Sequence, residues 1–176
     1  MKNSILIIAV SGLFFVQCSL AQNKAQTAKV PDALSEVYVS YINLKNALTK
    51  DNADSASAYA KFLFNSVDNV KTDKLSTVQY EAWIKNMKDI SYNAEHIKAT
   101  DDIEHQREHF IKLSSAVYNV IKEFKSNPDN VYYQFCPMAD NGKGAYWISE
   151  NPKVVNPYYG KKMLNCGSTK ETLKGN

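Results

Sequence analysis

The sequence predicts a mainly α fold: an up-down-up-down four-helix bundle with a small C-terminal β-hairpin and loop cap. Three observations carry this. From Asp32 to Lys125, more than half of the 176 residues, there is neither Gly nor Pro, the two strongest punctuators of regular structure. Within that span apolar residues recur at three- and four-residue steps in four separate stretches. At Asn127-Pro128 the composition changes abruptly, and residues 127–167 hold four of the 5 Pro and four of the 6 Gly.

The first helix follows the N-cap candidate Asp32 and carries Leu34, Val37, Tyr38, Tyr41, Leu44 and Leu48 on one face. The second starts near Asp51, with Ala56, Tyr59, Ala60, Leu63, Val67 and Val70. The third opens on Ser76-Thr77-Val78-Gln79, a capping-box pattern, and continues with Trp83, Met87, Ile90, Ala94 and Ile97. The fourth begins near Asp101, with Glu104 at the box position, and presents Ile103, Phe110, Leu113, Val117, Val120, Ile121 and Phe124. Short connections make neighbouring helices antiparallel, which is the geometry of an up-down bundle.

Val131-Tyr132-Tyr133-Gln134-Phe135 and Ala145-Tyr146-Trp147-Ile148-Ser149 read as two strands. Asp140-Asn141-Gly142-Lys143-Gly144 between them has hairpin turn chemistry. Asn156-Pro157 starts a further turn, and Met163 to Cys166 reads as one helical turn closed by Gly167. A cap of about 40 residues is too small for a core of its own. Phe135, Tyr146, Trp147 and Tyr158 are therefore expected to bury against the bundle, as packing rather than as a ligand cage. Residues 168–176 read as a frayed tail.

At the N-terminus, Lys2, an apolar run from Ile5 to Val16 and the small residues Ser19 and Ala21 read as a secretory signal peptide. The apolar run is too short to span a bilayer. The organisation is then a signal peptide at 1–21, a flexible lead at 22–30, a single domain at 31–167 (bundle 31–126, cap 127–167) and a tail. The expected location is the periplasm, with no membrane span. A competing reading makes Cys18 a lipid-anchored cysteine, although Gln17 is a poor fit before such a residue.

With Lys+Arg 21 against Asp+Glu 18, the net charge of +3 is too mild for a nucleic-acid binder. With only 3 Cys, the chain is not a disulfide-dense scaffold. No Gly-rich phosphate loop and no nucleophile elbow occur.

Cys136-Pro137-Met138 and Met163-Leu164-Asn165-Cys166 form a mirrored pair, with a thiol and a thioether in each half. Positions i and i+2 of an extended segment, and i and i+3 of a helical turn, point to the same side. Each half can thus present two sulfurs together. Such a set selects soft ions, Cu(I) above all and Ag(I) as its analogue, over zinc. The alternative is a Cys136–Cys166 disulfide with the two Met side chains as core filler. Closing that loop would stabilise the fold by roughly 3.5 kcal/mol on a chain-entropy estimate.

His105-Gln106-Arg107-Glu108-His109 matches the H-x-x-E-H pattern of inverted zinc peptidases. The chain is too small for a peptidase chamber, so the segment reads as a boundary histidine on a solvated helix flank, with a metal-touching role for His105 or for His109, as an auxiliary ligand, as the alternative. His96 reads as an exposed histidine near a helix C-terminus, where it suits the dipole. No Glu-x-x-His pair of a di-iron bundle is present.

The strings from Tyr132 to Ala139 and from Lys143 to Ser149 resemble an uncharacterised bacterial domain, a domain of unknown function. So do Asn156-Pro157-Tyr158-Tyr159-Gly160, Met163-Leu164-Asn165-Cys166-Gly167 and Gln106-Arg107-Glu108-His109-Phe110. That domain occurs alone behind signal peptides and fused to periplasmic adaptor subunits of copper/silver RND efflux pumps. The resemblance implies a helical bundle with a metal-linked role for Cys136, Met138, Met163 and Cys166. It also implies an efflux adaptor as partner, and it does not imply an enzyme. Cys-Pro-Met is also similar to heavy-metal-binding segments of copper transporters. Those usually continue with His-Pro, whereas Ala139-Asp140 stands here and removes one imidazole.

Overall fold

The four periodic stretches form α1 (Ser35–Thr49), α2 (Ala53–Asp68), α3 (Thr77–Lys98) and α4 (Ile103–Phe124). The computed structural model describes residues 34–125, 127 and 129–175. The signal peptide, the flexible lead, Cys18 and the Asp32 cap lie outside the described residues.

Local chemistry sets the helix starts. Ser76 caps α3 as expected: its Oγ accepts from the Gln79 N–H, and the Gln79 Oε1 accepts from the Ser76 N–H at 3.0 Å. The start of α2 differs from expectation. Asp51 sits at φ 57°, a left-handed turn position, so the N-cap passes to Asn52, whose Oδ1 accepts from Ser55 N–H at 2.9 Å. The start of α4 differs too. Asp102 alone accepts from the Glu104 and His105 N–H groups, which frees Glu104 from any box role.

The anticipated faces are the core. Leu34, Val37, Tyr41, Leu44, Leu48, Ala56, Ala60 and Leu63 are buried, as are Trp83, Ile90, Ala94, Ile97, Phe110, Leu113 and Val117. Consecutive helices pack on one another, α1 on α2, α2 on α3 and α3 on α4. No described helix is long and apolar enough to cross a membrane.

The cap is a three-stranded antiparallel sheet of β1 (Val131–Cys136), β2 (Ala145–Ser149) and β3 (Ser168–Leu173), in the order β2-β1-β3. The expected frayed tail is therefore a strand over Ser168–Leu173. Thr169 and Thr172 favour extended backbone, and β1 offers a second edge that the tail completes. The β1–β3 ladder carries an irregularity between Tyr133 and Gln134.

Strand alternation decides which aromatic residues are buried. Trp147 is fully buried and Tyr158 nearly so, with β2 lying on α4. Tyr146 faces the other way and remains 36% exposed, and Phe135 is only partly buried, contrary to expectation. On that outer face the Tyr146 ring lies 4.4 Å from Phe135 and 4.6 Å from Tyr133, which stacks on Tyr118 of α4 at 3.7 Å.

Buried polar groups join cap to bundle. Tyr41 Oη accepts from the Ile148 N–H at 3.0 Å and pairs with Ser114 Oγ at 2.8 Å. Lys45, buried in α1, donates to Glu150 at 2.7 Å just beyond β2. Burial pushes the Lys45 ammonium down from its ordinary pKa, against the pull of Glu150.

Arg107 is the densest such node. Its Nε donates to Pro157 O at 2.9 Å, one terminal nitrogen to Glu104 at 3.1 Å, and the other to Leu48 O at 3.1 Å and Asp51 Oδ1 at 2.6 Å. One guanidinium thus ties α4 to the α1–α2 turn and to the cap. Gly160, at φ 52°, fits only without a side chain, since a Cβ there would meet Asp51 Oδ1 at 1.8 Å.

Candidate functional site

The four sulfur residues are positioned by the end of β1 and the loop leading into β3. Pro137 has no N–H for the ladder, so β1 ends at Cys136 and the chain turns. Gly142 and Gly144, both at positive φ, complete the turn, and the Gly144 N–H donates to Ala139 O at 2.9 Å. On the other side, Phe135 pairs with Ser168. Continuing that register by one step sets Gly167 opposite Cys136, with Cys166 next along. A Cβ at Gly167 would meet Phe135 O at 2.8 Å and the Trp147 ring at 2.9 Å, so only glycine allows this approach.

Asn156 organises the Cys166 loop. It is fully buried; its Nδ2 donates to Cys166 O at 2.8 Å, and its Oδ1 accepts from Tyr158 N–H at 2.7 Å. Its own N–H donates to Leu164 O at 2.8 Å. The sequence signals this position only as the start of an Asn-Pro turn.

The structure brings the two cysteines together as free thiols, Cys136 buried and Cys166 partly exposed. The Cys166 thiol is pushed up to about 11, by burial first and by Cys136 beside it, while the Met138 backbone pulls the other way. At neutral pH Cys166 therefore holds its proton, and an ion binding there must displace it. Met138 is 52% exposed, its carbonyl fixed by the Tyr159 hydroxyl at 2.6 Å. Met163 is partly buried in the turn closed by Cys166 N–H to Met163 O at 3.1 Å. Both thioethers flank the thiol pair along the chain, one two residues from Cys136 and the other three from Cys166.

His109 goes elsewhere. Its Nδ1 lies 3.0 Å from Asn93 Oδ1 of α3, and its ring stacks on His96 at 4.3 Å and 9°. His105, one turn back on α4, lies 4.7 Å from it. His109 thus joins His96 and His105 on the α3–α4 flank, while Arg107 on the other side of α4 carries the cap contacts. Burial, then His96 and His105, hold the His109 imidazole below its ordinary pKa, which keeps it neutral near pH 7.

Sequence reasoning missed His96 by treating its helix in isolation. His96 stands two residues before the end of α3 and His105 two residues after the start of α4. In an antiparallel helical hairpin, residues equidistant from the turn face each other, and that symmetry is the signal. Arg107 gave no signal of its own, because its acceptors are scattered across the sequence.

No curated protein and no solved structure matches the chain. A family model described as "Protein of unknown function (DUF3347)" matches residues 37–129, just over half of the chain. The match covers all but the first two residues of α1 and stops before β1, so Arg107 and the three histidines fall inside it and the four sulfurs beyond it. The chain belongs to the DUF3347 family of proteins of unknown function.

Proposed function

We propose that the protein binds a soft monovalent ion, Cu(I) or Ag(I), at Cys136 and Cys166, with Met138 and Met163 as thioether ligands. The observation that carries this reading is the meeting of two unbonded thiols at the end of the central strand, each with a methionine close by in the chain. Thiolate with thioether is a donor set that discriminates for soft ions, since thioethers add little affinity for harder ones. The protein would act by ligand exchange, with the exposed Met138 the first sulfur met by an incoming or departing ion. Copper handling or efflux after export to the periplasm, with the adaptor of a copper/silver efflux pump as receiver, is the corresponding role.

The same thiol adjacency supports a second reading, a non-catalytic interaction module whose cap is stapled by a Cys136–Cys166 disulfide. Thiol titration of protein isolated from its native compartment, with metal analysis, separates the two. On the first reading the reduced protein takes up one Cu(I) in competition with a Cu(I) chelator. Cys136→Ser removes most of that binding and Met163→Leu weakens it less. Equal Cu(I) affinity in wild type and the double Cys→Ser variant ends the copper reading.

A further inference from the structure

We propose that His96, His105 and His109 form a second cation site, distinct from the sulfurs, that takes a borderline divalent ion such as Zn²⁺ through three imidazole nitrogens. Among the described residues their ligand atoms all lie within 4.8 Å of one another. Two come from one helix at i and i+4, positions that share a face, and the third comes from the facing helix. Ligands on a tetrahedral ion with bonds of about 2.0–2.1 Å stand about 3.3 Å apart. The triad thus closes by roughly 1.5 Å on binding, within reach of side-chain rotation alone.

The hydrogen bonding selects the ligand atom on His109. Asn93 Nδ2 donates to Asp89 O at 2.7 Å, so Asn93 turns its Oδ1 toward His109 at 3.0 Å. An oxygen there accepts, and the proton belongs on His109 Nδ1. Nε2 is left with its lone pair available for an ion. A ligating histidine whose other nitrogen is held by a hydrogen-bond acceptor is the usual support of a metal site. Glu108 Oε2, 3.9 Å from His105 Nδ1, adds a negative charge beside a dication.

His96 is the member that moves. Its ring lies parallel to His109 and is also packed against Tyr92 at 4.5 Å. Parallel stacked imidazoles cannot aim two in-plane lone pairs at one ion. The His96 ring must therefore turn out of the stack, and ring contacts hold it more weakly than hydrogen bonds would. All three side chains are partly exposed, so an ion enters from solvent and a water completes its shell. Three imidazoles without a thiolate suit Zn²⁺ and Cu²⁺ rather than Mg²⁺ or Ca²⁺.

The test uses the full chain carrying Cys136→Ala and Cys166→Ala, which removes the sulfur ligands, titrated with Zn²⁺ against a chromophoric chelator. One Zn²⁺ per chain is expected. His96→Gln, His105→Gln and His109→Gln should each weaken binding by more than Asn93→Ala, whose expected loss is about tenfold. Nitrogen-15 spectra should show His109 binding through Nε2 with its Nδ1 proton retained. Should the double alanine variant fail to fold, wild-type protein serves: Zn²⁺ should raise its melting temperature, and the triple His→Gln variant should lose most of that rise. Undiminished Zn²⁺ binding in His96→Gln, or half an ion per chain with dimerisation, overturns the proposal. Cu(I) titration of the triple His→Gln variant tests the sulfur site independently, so either site can fail alone.

Discussion

Cys136 and Cys166 stand 30 residues apart and meet only because two strands pair in one register, whereas the three histidines fall within 14 consecutive residues of one helical hairpin. The histidine cluster needs only α3, α4 and the turn between them. The thiol pair needs the cap folded, docked and in register. Geometry built from a local hairpin survives partial loosening of the molecule, while geometry built from long-range pairing is lost with the first cooperative unit to open. The two clusters should therefore report on different parts of the fold.

Trp147→Ala should separate them most strongly. The indole is fully buried between β2 and the bundle, and its loss should cost about 3–5 kcal/mol in a denaturant melt. Cu(I) affinity should fall with it, while Zn²⁺ binding at the histidines should remain. Loss of both together would show that cap and hairpin are one cooperative unit.

Arg107→Ala comes next. It strands the Pro157 carbonyl, leaves the Leu48 carbonyl with only the Asp51 N–H and takes the guanidinium from Asp51, at a cost of about 3 kcal/mol. Arg107→Lys should recover little, because a single ammonium cannot serve acceptors spread around a planar fork. The measurement is again a denaturant melt, read beside Cu(I) affinity.

Acid should loosen the carboxylate contacts that join cap to bundle. Burial pushes Asp51 up, but hydrogen bonds from Arg107 and the Lys161 N–H outweigh it and hold the carboxyl below its ordinary pKa. Glu150 is likewise raised by burial and more strongly lowered by Lys45 and Asn46. Glu171 is lowered by Tyr118 and Lys122. Each folded-state pKa lies below its unfolded value. Their stabilisation is thus fully present above about pH 5 and is lost as pH falls through the folded values. Asp51→Asn should flatten that dependence in a melt series from pH 6 to about pH 3.

Ser76→Ala should have the smallest effect, about 1 kcal/mol from the lost α3 cap. Ser76 lies at the end of α3 away from the histidines, so both metal affinities should stay unchanged. A change in Zn²⁺ affinity would show that fraying of α3 reaches His96.

The helices were legible because their information is periodic and local: one buried face per helix, a capping box, no breaker for over 90 residues. The hairpin was legible through Asp140, Asn141, Gly142 and Gly144, residue types that tolerate the positive φ all four adopt. Strand β3 was not, since Ser168–Leu173 has little apolar alternation and exists because β1 offers a partner. The cysteine meeting could be suspected from mirrored spacing, but its geometry rests on Asn156 and on a register that no local pattern encodes. The histidine cluster was hidden because His96 was read on its own helix, where it points away from the apolar face.

The irregularity in the β1–β3 ladder governs where the chain is in step with itself. Tyr133 pairs with Glu171 and Gln134 with Thr169, so Lys170 has no counterpart on β1. Run without that bulge, the pairing of Val131 with Leu173 would carry Ser168, not Gly167, to the place opposite Cys136. A hydroxymethyl group would then stand where the Phe135 carbonyl and the Trp147 ring leave room for none. The surplus residue acts as a phase shift that takes up one position of slack before the thiols. Length changes at Lys170 can be absorbed within the bulge, whereas the same change between Cys166 and Thr169 would put the two thiols out of step.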